Sequence, residues 1–514
     1  MNAKAAAKRH WDCIIVGTGM GGATLGWALS RAGRSVLFLE RGHHPLADER
    51  LTGDYAEMLA RRQNLPLETR LPPAGRWDRP LEDRSGRKPK TFIPFIGMGG
   101  GGSTQLYGAA LERFFPEDFA GWPIDYATLR PYYRRTEALY GVRGELDPLR
   151  QDVLDPLPAA RLDPANATIA AHLHANGLHP YRLPTACREG DACRDCQGYL
   201  CPHRAKGDAA SVCLLPALSE SGAILLDRCE AVRLRAGQSR VEGVDCHTPD
   251  GPLRFRGDCV VLAAGALHSP ALLLRSAARP WPQGVANTSG QVGRNLMRHA
   301  IDLFLVQVPG LSGPVPKRLA FNDFYRRGDD AFGTVQSFGS LPPLPMLLDS
   351  LHQDLRHALP WLASLFPLAR PFLRPALRAL TGKRAVFAAI LEDRPHPDNR
   401  IEPRGDGVRL YYRLGAGERE RLRQFRRWVA RAFAPWPVRL IAQADNNERI
   451  AHACGTCRFG DDPERAVLDR DNRAHGLDNL YVVDASFFPT SAGINPALTI
   501  AANALRVADH LLKR

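Results

Sequence analysis

Apolar residues along this 514-residue chain fall into short blocks punctuated by glycine and proline, with no internal repeat. Near the N-terminus, Cys13 to Val16 is a β-branched run with the length of a buried strand. Val36 to Leu39 is a second such run, closing on Glu40. Between them, Ala23 to Ala32 reads as a helix stopped by Gly33. At the other end, Ala497 to Leu511 places apolar residues at helical spacing and predicts an amphipathic helix behind Pro496. A further apolar stretch, Leu341 to Arg384, sets Leu, Phe and Trp at helical spacing with arginines between them and prolines breaking the run. No block approaches the roughly 20 apolar residues that span a bilayer.

The first two strands and the helix between them are joined by Gly-Thr-Gly-Met-Gly-Gly, which puts Gly17, Gly19 and Gly22 in GxGxxG spacing. Each glycine has a task. Gly17 permits the tight turn, Gly19 lets a pyrophosphate approach the backbone, and Gly22 lets helix and strand pack closely. Glu40 ends the second strand about 20 residues later, where an acid binds ribose hydroxyls. Strand, glycines, helix, strand and acid in this order predict a dinucleotide site. The nucleotide end does not separate FAD from NAD.

Composition adds boundaries. With 44% hydrophobic residues the chain can bury more than one core, and 46 Gly and 41 Pro suit a loop-rich enzyme. The net charge of +14 comes mostly from arginines scattered along the chain, without a basic block interleaved with aromatics. It reads as a solvated surface, with no nucleic-acid partner expected. An odd count of 11 cysteines, with no leader-like segment ahead of them, points to reduced thiols or cofactor ligands in a cytoplasmic protein.

Four glycines in a row, Gly99 to Gly102, precede Ser103 in a second cluster, "FIGMGGGGSTQLYGAALERF". Later come "VVLAAGALHSPALLLRS", "VGRNLMRH" and a long closing block from "HACGTCRFG" to "INPALTIAANAL". In this order they resemble the glucose–methanol–choline oxidoreductases, most of all the bacterial polyol, sugar and long-chain alcohol dehydrogenases. The resemblance is weak from about Leu311 to Val438. It implies FAD rather than NAD, in a Rossmann-like α/β domain joined to a discontinuous substrate domain on an antiparallel sheet. Segments 10–45, 91–120, 210–300 and 470–514 would form the FAD domain. Segments 46–90, 121–209 and 301–469 would form the substrate domain, with a cysteine-rich loop at 187–213.

The resemblance also assigns roles. Gly101, Gly102 and Ser103 would lie along the pyrophosphate and flavin, and Val232 against the adenine. Ala264 and Gly265 would turn beside the nucleotide, and Asp484 and Ala485 would touch the pyrophosphate. Tyr107 stands where some relatives carry the histidine that binds FAD covalently, so FAD is expected to be non-covalent. His452 of "HACGT" would be the base that takes the hydroxyl proton as hydride passes to flavin N5, a task suited to histidine's neutral-range pKa. Asn495 would orient the alcohol. Asn495 and Pro496 would sit beside the flavin at a helix start whose dipole favours its reduced, anionic form. His268, His299 and His475 read as structural, as do Cys454 and Cys457.

Cys187, Cys193, Cys196 and Cys201, with Cys213 beyond, crowd one loop, and Pro202 follows Cys201. The spacing is close to an iron–sulfur run without matching it. An iron–sulfur cluster, a zinc ion, and thiols or disulfides all stay open. A cluster would give electrons an exit to a cytochrome or quinone and make the protein a dehydrogenase. Leu341 to Arg384 is open between a peripheral membrane contact, a lid over an apolar substrate tunnel, and ordinary interface helices; the first two favour a lipophilic alcohol. Two rival functions keep the same fold: a flavoprotein lyase or photodecarboxylase, and a flavin electron-transfer subunit.

Overall fold

Two sheets and two apolar cores organise the protein in a computed structural model. It describes residues 1–43, 79–152, 157–158, 162–188, 197–198, 200–201, 203–311, 313, 315–339, 341–381 and 384–514. The first sheet has seven strands. Its middle is parallel: Ile224–Leu226, Val36–Leu39, His10–Val16, the end of Gly251–Leu262, and Leu480–Val482 lie side by side in that order. These segments are almost wholly apolar because both faces of a parallel sheet are covered. All four residues of Val36–Leu39 are buried. An antiparallel meander, Glu230–Ala236, Val241–Thr248 and Gly251–Leu262, extends the sheet to one side.

Helix Met20–Arg31 follows the first strand, and Gly33, at φ +85°, ends it as the glycine stop predicts. Helix Ala497–Leu512 packs against it. This last helix departs from the expected amphipathic pattern, for ten of its residues from Leu498 to Ala508 are buried. Its small alanines let neighbours approach from several sides. Its polar residues are bonded internally: Asn503 donates to Asn472, and Arg506 bonds Asn472, Asn503 and Asp471.

The second sheet has six strands, in the order Val438–Ile441, Ala300–Val306, Ala385–Leu391, Gly333–Ser337, Leu319–Phe321 and Tyr181–Arg182. All neighbours are antiparallel. Ala385–Leu391 is buried along its whole length. Helix Ala416–Ala432 turns Leu422, Phe425 and Val429 into the core beside it. A four-stranded sheet is built from Leu81–Asp83, Lys90–Phe92, Arg400–Arg404 and Gly407–Tyr411, and Arg326–Arg327 pairs with Asp330–Ala331 in a small hairpin. Leu341 to Arg384 forms three helices, Leu344–Ala358, Pro360–Ala363 and Phe366–Thr381. Among the described residues no helix is long and apolar enough to cross a membrane.

One buried carboxylate ties the second sheet to its helix. Asp302, 1% exposed, accepts from Arg426 Nε at 2.6 Å and from the amides of Gln443 and Ala444 at 2.8 and 3.0 Å. Asp302→Ala would orphan all three donors and is expected to lower unfolding stability by about 3 kcal/mol, read by urea titration.

Candidate active site

Gly17 sits at φ +97°, a backbone region that L side chains resist, and an added Cβ would lie 2.5 Å from the carbonyl oxygen of Ala263. A Cβ on Gly22 would lie 2.2 Å from the Gly17 oxygen, so the helix presses onto its own entry turn. Gly19 is different. Nothing stands within 4 Å of where its Cβ would be, and as residue before the Met20–Arg31 helix it leaves the first amides without a side-chain cap. Gly102, at φ +51°, comes up to Gly19, with 3.1 Å from its Cβ position to Gly19 Cα. The two glycine clusters therefore meet. Ser103 is exposed beside them, and its hydroxyl accepts from the Gly97 amide at 3.1 Å.

Glu40 is buried where the clusters meet, and its carboxylate is fully engaged by the protein. It accepts from Thr18 N and Oγ1 at 3.1 and 2.7 Å, and from the amides of Gly42 and Gly99 at 2.9 and 3.0 Å. Burial raises its pKa and these bonds oppose the rise. Here Glu40 is first a staple between the two glycine segments. Asp484 does the same on the other side. It accepts from the Gly265 amide at 2.9 Å, from Ser486 N at 2.9 Å, and from the hydroxyls of Ser486 and Ser269. Ser269 in turn accepts from the Ala264 amide. Ala485 takes the Gly455 amide on its carbonyl, which joins this turn to the "HACGT" segment. Val232 is the extra residue of a register shift between Ala231 and Arg233, so its own amide and carbonyl fall out of the ladder.

His452 and His299, far apart in sequence, are hydrogen-bonded Nδ1 to Nδ1 at 2.8 Å. His299 Nε2 lies 3.1 and 2.9 Å from the carbonyl oxygens of Ser491 and Ala492. Carbonyls only accept, so Nε2 of His299 carries the hydrogen. Burial pushes the pKa of His299 down to about 4, so the ring is neutral and its Nδ1 is an acceptor. His452 must then donate from Nδ1, which leaves the lone pair on its Nε2. No described residue bonds that atom. Burial, with the Lys317 charge behind it, lowers the His452 pKa well below 6.5. The residue also holds φ +54°, rare outside glycine and costly for a ring-bearing residue.

The carbonyls that hold His299 belong to the loop that leads into Asn495. Ser491 is fixed in turn by Asp393, whose amide donates to Ser491 Oγ and whose carbonyl accepts from it, both at 2.9 Å. Asn495 is buried, and its Oδ1 has no partner among the described residues. Pro496 follows, also buried, and starts the Ala497–Leu512 helix with no side-chain cap. Lys317 is 5% exposed and reaches Gln197 Oε1 at 3.4 Å.

Two sequence profiles of the GMC oxidoreductase family match residues 11–301 and 396–504. The chain belongs to this family. The GMC oxidoreductase described here is 31% identical to 6'''-hydroxyparomomycin C oxidase of Streptomyces lividus, over 98% of this chain and 92% of that one. It is 24% identical to 2-methyl-1,2-propanediol dehydrogenase of Mycolicibacterium austroafricanum, over 98% and 95%. In fold it is similar to the crystal structure of pyridoxine 4-oxidase from Mesorbium loti, with a TM-score of 0.66 at 20% identity, covering 98% of this chain and all of that one.

A GMC oxidoreductase acts on CH–OH groups, and the family implies FAD. The residues present fit that cofactor. The open space at Gly19, the uncapped amides of Met20–Arg31 and the bulged Val232 suit a pyrophosphate and an adenine edge. His299 is what the sequence reading missed: it was expected to be structural, away from the base, and the structure bonds it to His452. No local pattern marks it, because its partner is 153 positions away. Cys454 and Cys457 are buried with thiol pKa values raised by that burial, as structural cysteines are. His475 donates from Nε2 to the Gly460 carbonyl, 3.0 Å away. His268 is half-buried, and desolvation lowers its pKa to about 3.

The cysteine-rich loop is described only in part. Cys193 and Cys196 lie outside the described residues. Cys187 is buried and pairs in a β-bridge with Lys206, and Cys201 is half-buried. Cys213 is buried elsewhere, 3.4 Å from Tyr140 Oη. Among the described residues no group of three or more His, Cys, Asp or Glu is placed to hold a metal ion. Tyr107 donates to the Gly207 carbonyl at 2.6 Å.

Two outcomes follow. Gly19→Val meets no protein atom and keeps an ordinary φ of −67°, so the variant is expected to fold with unchanged circular dichroism yet purify without flavin absorbance. His299→Ala frees the tautomer of His452, and kcat is expected to fall roughly tenfold or more while flavin stays bound. His299→Gln, which keeps one donor and one acceptor, should restore part of the rate.

Proposed function

We propose that this GMC oxidoreductase oxidises a primary or secondary alcohol to the aldehyde or ketone. The observation that carries the reading is the proton arrangement at the histidine pair, which leaves His452 Nε2 as the open acceptor. FAD, when bound without a covalent link, supplies the two-electron oxidant that takes the carbinol hydrogen as hydride. His452 takes the hydroxyl proton on Nε2. His299 holds the ring and its Nδ1 proton in place. Asn495 offers its buried carboxamide to the substrate oxygen and steadies the negative charge that grows there.

In this reading the cofactor half is built from segments 10–45, 91–120, 210–300 and 470–514. Gly17, Gly19, Gly22, Gly101, Gly102, Ser103, Ala264, Asp484 and Ala485 form or brace its pyrophosphate wall. Val232 meets the adenine, and Pro496 starts the helix aimed at the flavin. Glu40 reaches the ribose by giving up one of its present bonds. A polar, hydroxyl-bearing substrate is supported by Lys317 and Gln197 near the pair, and by relatives named for 6'''-hydroxyparomomycin C and 2-methyl-1,2-propanediol. Leu359, Trp361, Leu365, Leu368 and Phe372 are exposed and do not argue for an apolar tunnel.

A depressed pKa keeps His452 in its base form to lower pH than an ordinary histidine. kcat/KM is therefore expected to stay flat from neutrality down through 6.5 and to fall only in more acidic solution. His452→Ala should lower kcat by about 10² to 10⁴-fold with flavin content unchanged, and Asn495→Ala by about 10²-fold. Anaerobic reduction of the flavin by an alcohol, followed in the visible spectrum, measures both. Full activity in His452→Ala would sink the reading. The same spectrum reports on Cys187, Cys193, Cys196 and Cys201: a broad, reducible background under the flavin bands is the mark of an iron–sulfur cluster with a cytochrome or quinone downstream. Flavin bands alone mean thiols, and oxygen is then the first acceptor to test.

A further inference from the structure

The helices of 344–381 fold back on one another and satisfy their inner side. Leu348, Ala363 and Phe366 are buried between them. His352 stacks on Phe366 with ring centroids 4.6 Å apart, and its Nε2 lies 3.0 Å from the Ala363 carbonyl. Arg370 pairs with Asp349 at 3.1 Å. The hairpin is also fixed to the body of the protein. Arg449 bonds Ser350 and Asp354, and Asn446 donates to Asp354 at 3.0 Å.

The outer side is the reverse of what a finished surface shows. Trp361 is 70% exposed, Leu365 51%, Leu368 75% and Phe372 79%. Leu365, Leu368 and Phe372, spaced three and four residues apart at the start of the Phe366–Thr381 helix, share one side of it, and Trp361 comes from the short helix just before. Leu359 lies at the same end, also exposed. Single exposed apolar residues are ordinary, but a contiguous stripe of large ones marks a contact surface.

Charge selects the partner. From Leu355 to Leu391 the sequence has no Asp or Glu, while it has Arg356, Arg370, Arg374, Lys383 and Arg384 among its cations. Arg356 and Arg374 are exposed on the same helical hairpin. A second copy of this chain, itself at +14, would bring like charges face to face across a two-fold contact. An anionic lipid surface would receive both the stripe and its arginines. Helices that lie in the membrane interface have this make-up, a tryptophan-bearing apolar face rimmed by arginine.

We propose that the 359–374 face docks this protein on an anionic bilayer, with Trp361, Leu365, Leu368 and Phe372 entering the headgroup region and Arg356 and Arg374 meeting lipid phosphates. The proposal does not depend on the alcohol-oxidation reading, so flavin content and turnover serve as independent controls.

The test is flotation of the purified, flavin-loaded protein with vesicles of phosphatidylcholine alone or mixed equally with phosphatidylglycerol. The protein should float with the mixed vesicles and be released by high salt. Trp361→Ser/Leu368→Ser/Phe372→Ser should lose binding at least tenfold with flavin content and melting temperature unchanged. Arg356→Glu/Arg374→Glu should lose it on the mixed vesicles. Wild-type protein that stays in the soluble fraction overturns the proposal. So does equal flotation on both compositions, or a triple-serine variant that floats as before. A wild-type dimer that the triple-serine variant splits, with no vesicle binding, would make the stripe a contact between copies.

Discussion

One hydrogen bond between two histidine rings sets the chemistry of the site. Two backbone carbonyls from the 491–492 turn take the proton of His299 on one side, and everything else follows in sequence. His299 can then only accept on its other nitrogen, His452 can only donate there, and the remaining lone pair of His452 is the one left for substrate. Burial enforces this order by keeping His299 neutral. A polar chain of this kind is informative because carbonyl oxygens have no alternative role. The structure around it serves to hold the carbonyls still: Ser491 is clasped by the backbone of Asp393, and the Asp393 carboxylate accepts from the Arg298 amide, next to His299 in the chain.

The cofactor side depends on two buried carboxylates used as fasteners. Glu40 joins the first glycine turn to the second cluster, and Asp484 holds the Gly265 turn while its neighbour Ala485 accepts from Gly455 in the segment that carries His452. Each accepts four hydrogen bonds from groups far apart in sequence. Loops rich in glycine would otherwise be floppy, since glycine loses more freedom on folding than any other residue. An acid at the end of a strand thus does more than await a ribose. It gives the mobile turns a fixed shape before any nucleotide arrives.

Much of this was legible in the sequence where local chemistry is demanding. The GxGxxG turn could be read because only glycine tolerates φ +97° against the Ala263 carbonyl, and the strands around it because parallel strands must be apolar on both faces. His452 and Asn495 are proposed from motifs, and the structure adds the His299 bond to the first and the unpartnered Oδ1 to the second. What escaped was long-range. His299 carries no local sign of its partner. The last helix looked amphipathic because its alanines and its Asn503 and Arg506 mimic a polar face, but those groups pair inside the protein. In Leu341 to Arg384 the spacing predicted helices correctly, and periodicity alone could not say which stripe faced inward.

His452 adopts a left-handed backbone that favours glycine, and it does so at the position of the proposed base. The fold therefore works against itself at that point. Glycine there would relax the chain and abolish the base, so the most comfortable version of this loop is an inactive one. The neighbouring scaffold has to be over-determined to keep the ring where it is.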